Sequence, residues 1–469
     1  MNEYRLLIDG ELLPGDGPEI AVINPANEEV LARVATASEE QLELAVAAAN
    51  RAFPGWSTTS FEERQGMLRK LVELIKSNVD SLAELLVLEQ GKPLEGANVE
   101  LSFAEVFGEF YCDAVVESQV LIDDEIQRVE LVRKPLGVVA AIMPWNFPFV
   151  QAVYKLMPAL LTGNTVILKP SLMTPLTTLR LGELANQVFP AGVVNVLADN
   201  NNLGPVITSH PGIAKVSFTG STPTGKKIMA SAAHSLKRLT LELGGNDAGI
   251  VLDDAVPREV AAGIFATAFM NSGQVCAALK RLYVHESIYD EVCEEIANLA
   301  KSAIVGDGMD PRTEFGPVQN RAQYEKVCAY IEDAREHGSI IAGGDVPGGA
   351  GYYVPLTVVR DIDNGTRVVD EEPFGPILPI IKYSDIDEAI SKANQSDFGL
   401  GGSVWSSDIG RAESVASQLE CGSAWVNQHA AFAPNIPFPA AKYSGIGVEW
   451  GVEGITEYTQ MQTLNIAKQ

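Results

Sequence analysis

AKVSFTGSTPTGKKIMASAA, residues 214–233, sets a short apolar run against a glycine-bearing polar turn and then a run of helix formers. AKVSF reads as a strand, Thr219 to Gly225 as the turn, and KKIMASAA as the helix. Strand, turn and helix in that order are half of a β-α-β crossover. A glycine-rich turn lets backbone N–H groups approach a phosphate, and the helix N-terminus adds partial positive charge. The spacing is G-x-x-x-x-G without the Lys-Ser/Thr pair of a P-loop, and it is not G-x-G-x-x-G. A plain turn with a helix cap explains the segment equally well.

The same texture extends in both directions. VVAAI (138–142), TVILK (165–169) and VVNVL (193–197) are further short apolar runs between helical stretches. Their spacing predicts parallel strands joined by crossovers, and an open sheet that binds ligands beyond its carboxyl ends. A second α/β region begins near Gly244, with a buried helix at AAGIFATAFM (261–270) and an amphipathic one at YDEVCEEIANLAKSAI (289–304). The first part of the chain reads as mostly helical. From Phe61 to Glu89, Met67, Leu68, Leu71, Leu74, Ile75, Leu82, Leu85 and Leu86 recur at helical spacing, and Gly91 and Pro93 stop the pattern. VLIDDEIQRVELVRKPLG (120–137) alternates around a charged centre like an exposed hairpin, and ITEYTQMQTLNIAK (455–468) reads as a closing strand.

Composition narrows the class. The chain has 469 residues, enough for two or three domains, with 46% hydrophobic and 20% charged residues, the balance of a globular protein. Lys plus Arg number 34 and Asp plus Glu 61, a net charge of -27, which repels nucleic-acid phosphates and anionic membranes. Five scattered cysteines, 112, 276, 293, 328 and 421, form no C-x-x-C pair, which argues against a disulfide framework or a zinc site. MNEYRLLIDGELLPG shows no secretory pattern, and the most apolar stretches are broken well short of the roughly 20 residues a spanning helix needs. The expectation is a cytoplasmic protein with no metal, no nucleic acid and no membrane as partner.

Three groups could carry chemistry. In NSGQVCAALKR, Cys276 follows polar, glycine-containing chain, and a thiol is a strong nucleophile near neutral pH if its pKa is lowered. Alone, it reads more readily as a buried structural cysteine, and no neighbouring histidine offers a base. In LELGG (241–245), Glu242 stands among apolar neighbours, where a raised pKa would suit a general base; the alternative is an exposed strand-edge glutamate. In MPWNFP (143–148), two prolines fix the backbone around Asn146, whose amide could donate to an oxyanion; the alternative is a turn that packs Trp145 and Phe147.

Read in order, PWNFP, K-P-S, FTGSTPTG, LELGG, GQVCA, EEPFGP, GLGGSVWS and K-x-S-G-I-G make the chain resemble the aldehyde dehydrogenase superfamily from about Ile8 to Thr463. The interval of 34 residues from Glu242 to Cys276 suits the family. The resemblance implies an α/β chain with two open, mostly parallel sheets, a Rossmann-like cofactor domain (1–117 and 136–243) and a catalytic domain (244–443). A small β oligomerisation element (118–135 and 444–469) would make a homodimer or homotetramer. It implies oxidation of a small-molecule aldehyde to an acid. Cys276 would add to the carbonyl, Asn146 and the Cys276 N–H would hold the oxyanion, and hydride would pass to a nicotinamide. Glu242 would activate water against the thioester, with Lys155 and Glu449 relaying its proton or serving as a structural ion pair.

For the cofactor, the resemblance implies Trp145, Gly220 and Ser221 at the pyrophosphate, Gly225 under the following helix, and Lys169 and Ser171 of K-P-S towards the adenosine ribose. Glu372, Phe374 and Gly244 would meet the nicotinamide half. It implies Phe147, Tyr154, Phe432 and Phe438 as an aromatic substrate wall, with Val275 and Ala277 flanking the nucleophile. Such a wall suits uncharged aromatic or medium-chain aliphatic aldehydes better than semialdehyde acids.

Three departures stand out. Leu172 follows K-P-S where NAD-preferring relatives often carry Glu, so NADP stays open; NAD ranks first because no extra Arg replaces that Glu to grip a 2′-phosphate. PFPAAK (437–442) has Pro439 and Ala440 where glycines are usual, and Val448 replaces a common Arg. CoA-acylating relatives commonly lack the general-base Glu, which Glu242 argues against. The presence of both Cys276 and Glu242 argues against a non-catalytic relative.

Overall fold

The computed structural model describes residues 3–468. Its first sheet has eight strands in the order Glu11–Leu13, Leu6–Ile8, Val194–Val196, Thr165–Lys169, Val138–Ile142, Lys215–Thr219, Arg238–Glu242, Gly445–Ile446. The five central strands run parallel, and the flanking ones pair antiparallel. VVAAI, TVILK and KVSFT are buried along their whole length, as strands covered on both faces must be. From Val138–Ile142 the chain steps outward twice in one direction, then returns to the opposite side of that strand for Lys215–Thr219. The reversal opens a crevice beyond the carboxyl ends of these two strands, where an open α/β sheet binds its ligand.

The second sheet has seven strands, in the order Ser339–Ala342, Thr357–Arg360, Ile377–Tyr383, Leu279–His285, Asp247–Val251, Gly401–Trp405, Ser423–Val426. All its pairs are parallel except the first. Two apolar clusters, one around Tyr283, Ile331 and Ile381 and one around Ile264, Leu282 and Ile296, pack against it. The expected architecture of two mostly parallel sheets is the one observed.

The third sheet joins Gln119–Asp123, Gln127–Pro135 and Thr459–Ala467, antiparallel throughout. The hairpin lies where alternation predicts it. The closing segment is shorter than its sequence suggests, because Ile455 and Thr456 end a helix, Gly451–Thr456, before the strand begins. Gly445–Ile446 pairs with Leu241 and Glu242 of the first sheet.

Two local readings change near the N-terminus. Leu6–Ile8, Glu11–Leu13, Glu19–Ile23 and Val30–Ala35 are strands, too short to show a period. The periodic run from Phe61 is two helices, Phe61–Ser77 and Val79–Gln90. Ser60 and Glu63 close a reciprocal capping box at the first. Asn78 interrupts the run by turning its side chain back to the Leu74 carbonyl, 2.7 Å away. Gly91, at φ +96°, ends the second helix in the left-handed region that glycine enters without strain. Among the described residues, no helix is long and apolar enough to cross a membrane, and no cluster of three or more His, Cys, Asp or Glu could hold a metal.

Candidate active site

The crevice holds a cleft of about 150 Å³ lined by Trp145, Asn146, Gly220, Ser221, Gly244, Cys276, Glu372 and Phe374, all singled out from the sequence. Trp145 and Phe374 meet edge to face, ring centres 5.3 Å apart. Gly225 sits on the helix behind, where a Cβ would come within 2.5 Å of Leu243, so only glycine lets helix and strand pack this closely. A Cβ on Gly244 would meet a Glu372 carboxylate oxygen at 2.5 Å. The other Glu372 oxygen accepts the Gly245 N–H at 3.0 Å. Burial, partly offset by that bond, raises the Glu372 pKa to about 7.

Two lining residues, Gln323 and Lys326 on the helix Arg321–His337, carry no motif and escaped the sequence reading. Gln323 Nε2 donates to the Pro373 and Phe374 carbonyls at 2.8 and 3.0 Å, and Lys326 Nζ donates to the Glu372 carbonyl at 2.9 Å. They hold the Glu372–Phe374 loop over the cleft. Lys169 and Ser171 lie outside the residues lining it.

Cys276 follows a tight turn in which Asn271, Ser272 and Gly273 all have positive φ. Such strain persists only where the surroundings hold it. Ser272 Oγ donates to the Gly316 carbonyl at 2.7 Å, and buried Lys280 donates to Ala268 and Gly375 carbonyls at 2.9 and 2.8 Å. Asn146 Nδ2 donates to the Gln274 carbonyl at 2.9 Å, while Asn146 Oδ1 has no partner among the described residues. One Nδ2 hydrogen remains available beside the thiol.

The Cys276 thiol is not activated by a nearby cation. Burial and the charges of Glu242, Asp247 and Glu372 hold its pKa well above the ordinary thiol value. A lowered pKa was the condition named from sequence; three surrounding carboxylates reverse it, and the thiol needs a base. Glu242 is the candidate. It ends the strand Arg238–Glu242, is 4% exposed, and stands near enough to the thiol for each group to act on the other's proton, while its Oε1 has no hydrogen-bond partner among the described residues. Burial first, then the Glu449 charge, raise its pKa well above the carboxylate range. Behind it, Glu449 and Lys155 form a buried ion pair, and Lys155 Nζ is 3.3 Å from Ser217 Oγ, which also accepts from Tyr458 OH at 3.2 Å.

On the far side of the thiol, Tyr154, Phe432 and Phe438 cluster with two aromatics the sequence reading missed, Phe107 and Trp450. Trp450 stacks on Phe438 at 4.7 Å and meets Phe432, Phe107 and Tyr154 at 5.1, 5.2 and 5.7 Å. Trp450 has φ +62°, and its indole N–H has no partner among the described residues. Burial first, then the charges of Glu449, Glu242 and Cys276, raise the Tyr154 pKa, and Cys276 packs against the same apolar core as this cluster. Phe147 stands apart, its ring 4.0 Å from the Lys92 ammonium. Val275 is nearly buried. Ala277 is wholly buried, its carbonyl 3.1 Å from His429 Nε2, so it presents no surface to a substrate.

A second buried ion pair, Lys92 with Glu100, braces the turn that carries Asn146. Lys92 Nζ donates to the Asn146 carbonyl at 3.0 Å, and Glu100 accepts the Phe149 and Val150 N–H groups at the start of the helix Pro148–Leu161. Removing one partner of a buried pair leaves an uncompensated charge. Lys92→Ala is expected to lower stability by about 3–5 kcal/mol, read from urea unfolding; a loss below about 1 kcal/mol would deny the bracing role.

Comparison with known proteins agrees with this geometry. The family model described as "Aldehyde dehydrogenase family" matches residues 13–464. The chain is 38% identical to a mitochondrial aldehyde dehydrogenase of Leishmania tarentolae, covering 99% of this chain and 95% of the relative. It is also 38% identical to a phenylacetaldehyde dehydrogenase of Pseudomonas fluorescens, over 99% of this chain and 96% of that protein. The crystal structure of a betaine aldehyde dehydrogenase from Staphylococcus aureus, in complex with NAD+, superposes with a TM-score of 0.96 at 35% identity, covering 100% of this chain and 95% of that one. The chain belongs to the aldehyde dehydrogenase family.

Proposed function

We propose that this member of the aldehyde dehydrogenase family oxidises an uncharged aldehyde to its acid with NAD, through a thioester on Cys276 that Glu242 helps water to hydrolyse. The observation that carries the reading is that Cys276 and Asn146 line one cleft beyond the strand ends, with the buried Glu242 carboxyl close enough to act on the thiol. Glu242 takes the thiol proton, and the sulfur adds to the carbonyl carbon. The Asn146 amide and the Cys276 N–H hold the resulting oxyanion. NAD, when bound, supplies the hydride acceptor. Gly220, Gly244 and Glu372, with the Trp145 and Phe374 rings, line the cleft that would hold it, and Gly244 leaves room that a Cβ would fill. Oxidation leaves a thioester on Cys276. Glu242 passes the thiol proton to the Glu449 carboxylate for release to solvent, then deprotonates the water that attacks the thioester and releases the acid and the Cys276 sulfur; the second proton leaves by the same route beside Lys155.

The proposed division of labour assigns 1–117 and 136–243 to the cofactor, 244–443 to the nucleophile, and 118–135 with 444–469 to a dimer or tetramer, with the correction that Gly445–Ile446 extends the first sheet and Glu449 and Trp450 reach the site, which leaves the strand Thr459–Ala467 for assembly. Val120, Leu121, Met461 and Leu464, exposed on the third sheet, support the last. Five free cysteines fit a reducing compartment such as the cytoplasm.

Aromatic rings line the substrate side, and Lys155, 5.5 Å from the Tyr154 ring, is already neutralised by Glu449. A substrate carboxylate buried there would lack a partner. Hexanal and benzaldehyde are therefore expected to exceed succinic semialdehyde in kcat/KM by about tenfold or more, measured as NAD reduction. Best turnover with succinic semialdehyde would overturn the substrate class.

A further inference from the structure

Lys169 and Asp199 form an ion pair at the carboxyl ends of neighbouring strands of the first sheet. Lys169 closes the strand Thr165–Lys169, and Asp199 follows Val194–Val196 by three residues. Lys169 Nζ lies 2.6 Å from Asp199 Oδ1. Asp199 is wholly buried and Lys169 is 5% exposed. The other oxygen, Asp199 Oδ2, accepts the Leu203 N–H at 3.1 Å, which fixes the carboxylate in place. The pair stands on the ligand-binding edge of the sheet. The Met143 N–H donates to the Lys169 carbonyl at 3.1 Å, so Lys169 is one strand away from the turn that carries Trp145 and Asn146.

A dinucleotide laid across the crevice extends its adenosine ribose over the strand ends beside it. At such a position an acid bonds the ribose hydroxyls and repels a 2′-phosphate, whereas a free cation grips the phosphate. The residue after K-P-S is Leu172, which can do neither. The charges at this edge are Lys169 and Asp199, and they cancel. Packing alone gives weak reason for the pair, since apolar residues of similar volume commonly serve a buried site as well.

We propose that Asp199 sets the preference of this site for NAD over NADP, by neutralising Lys169 and opposing a 2′-phosphate. The inference rests on the nucleotide-binding reading above and adds to it a residue that acts in the absence of an acid at position 172.

The test is calorimetric titration of NAD and of NADP, without aldehyde, into wild type, Asp199→Asn and Asp199→Ser, with circular dichroism to check folding. Wild type is expected to bind NAD at least about tenfold more tightly than NADP. Asp199→Asn keeps the shape and removes the charge, and should narrow that ratio by about tenfold, chiefly through tighter NADP binding. An unchanged ratio in a folded variant overturns the proposal, as does a wild type that binds the two nucleotides within about threefold of each other; this second arm needs no variant to fold. A wild type that binds neither nucleotide instead defeats the cofactor reading on which the proposal stands.

Discussion

Cys276→Ala is expected to abolish aldehyde-dependent NAD reduction, by at least about 10⁴-fold. No other cysteine can replace it: Cys112 and Cys293 are buried, and Cys328 and Cys421 lie outside the residues lining the cleft. The substitution removes one sulfur from a partly buried site, so the fold should survive and nucleotide binding should persist. Steady-state rates, with titration of NAD into the variant, check both halves. Activity within tenfold of wild type would remove Cys276 from the mechanism. Loss of nucleotide binding along with activity would point to a collapsed cleft instead.

Glu242→Gln is expected to slow turnover by about 10²–10⁴-fold and to trap the acyl group on Cys276. Intact-protein mass spectrometry after mixing with aldehyde and NAD should show one acyl adduct per chain. The pH dependence of deacylation isolates this carboxyl, because an acylated Cys276 no longer titrates. Burial and the Glu449 charge hold the proton on Glu242, so its base form is scarce at low pH and grows as pH rises. Deacylation in wild type should therefore climb with pH through a midpoint above the ordinary carboxylate range, then level off. The plateau belongs to the Glu242 carboxyl, which burial and the Glu449 charge hold protonated and the Lys155 charge partly offsets. In Glu242→Gln the plateau should vanish, leaving only the dependence on hydroxide. A wild-type rate that is flat from acid to alkaline pH would mean that Glu242 is not the base.

The parts of the site legible in the chain are those that local chemistry dictates. PWNFP, FTGSTPTG and LELGG each join a strand end to a turn, so a run of a few residues already says where a backbone can approach a ligand. Their side chains meet in the cleft as that reading expects. The parts that stayed hidden are contacts between residues far apart in sequence. Lys92 just precedes the helix Leu94–Asp113 and Glu100 lies within it, in sequence that carries no motif, and only folding against the Asn146 turn gives them a function. Phe107 and Trp450 are 343 positions apart in the chain, yet their rings meet at 5.2 Å. The electrostatics were half legible. An apolar setting around Glu242 foretold its raised pKa, but the charges facing Cys276 come from Glu242, Asp247 and Glu372, and no local window contains all four.

The succession of strands and helices and the glycines at the crevice could be read from the chain, as could the candidate nucleophile and base through the resemblance that its ordered motifs carry. Periodicity and turn chemistry act over a few residues and need no tertiary partner to be recognised. The tertiary structure decided which charges face each other. It surrounded Cys276 with carboxylates, set Glu449 and Lys155 behind Glu242, and brought Asp199 to Lys169. Coulomb interaction and desolvation depend on distance and burial in space, and neither quantity exists until the two sheets have packed.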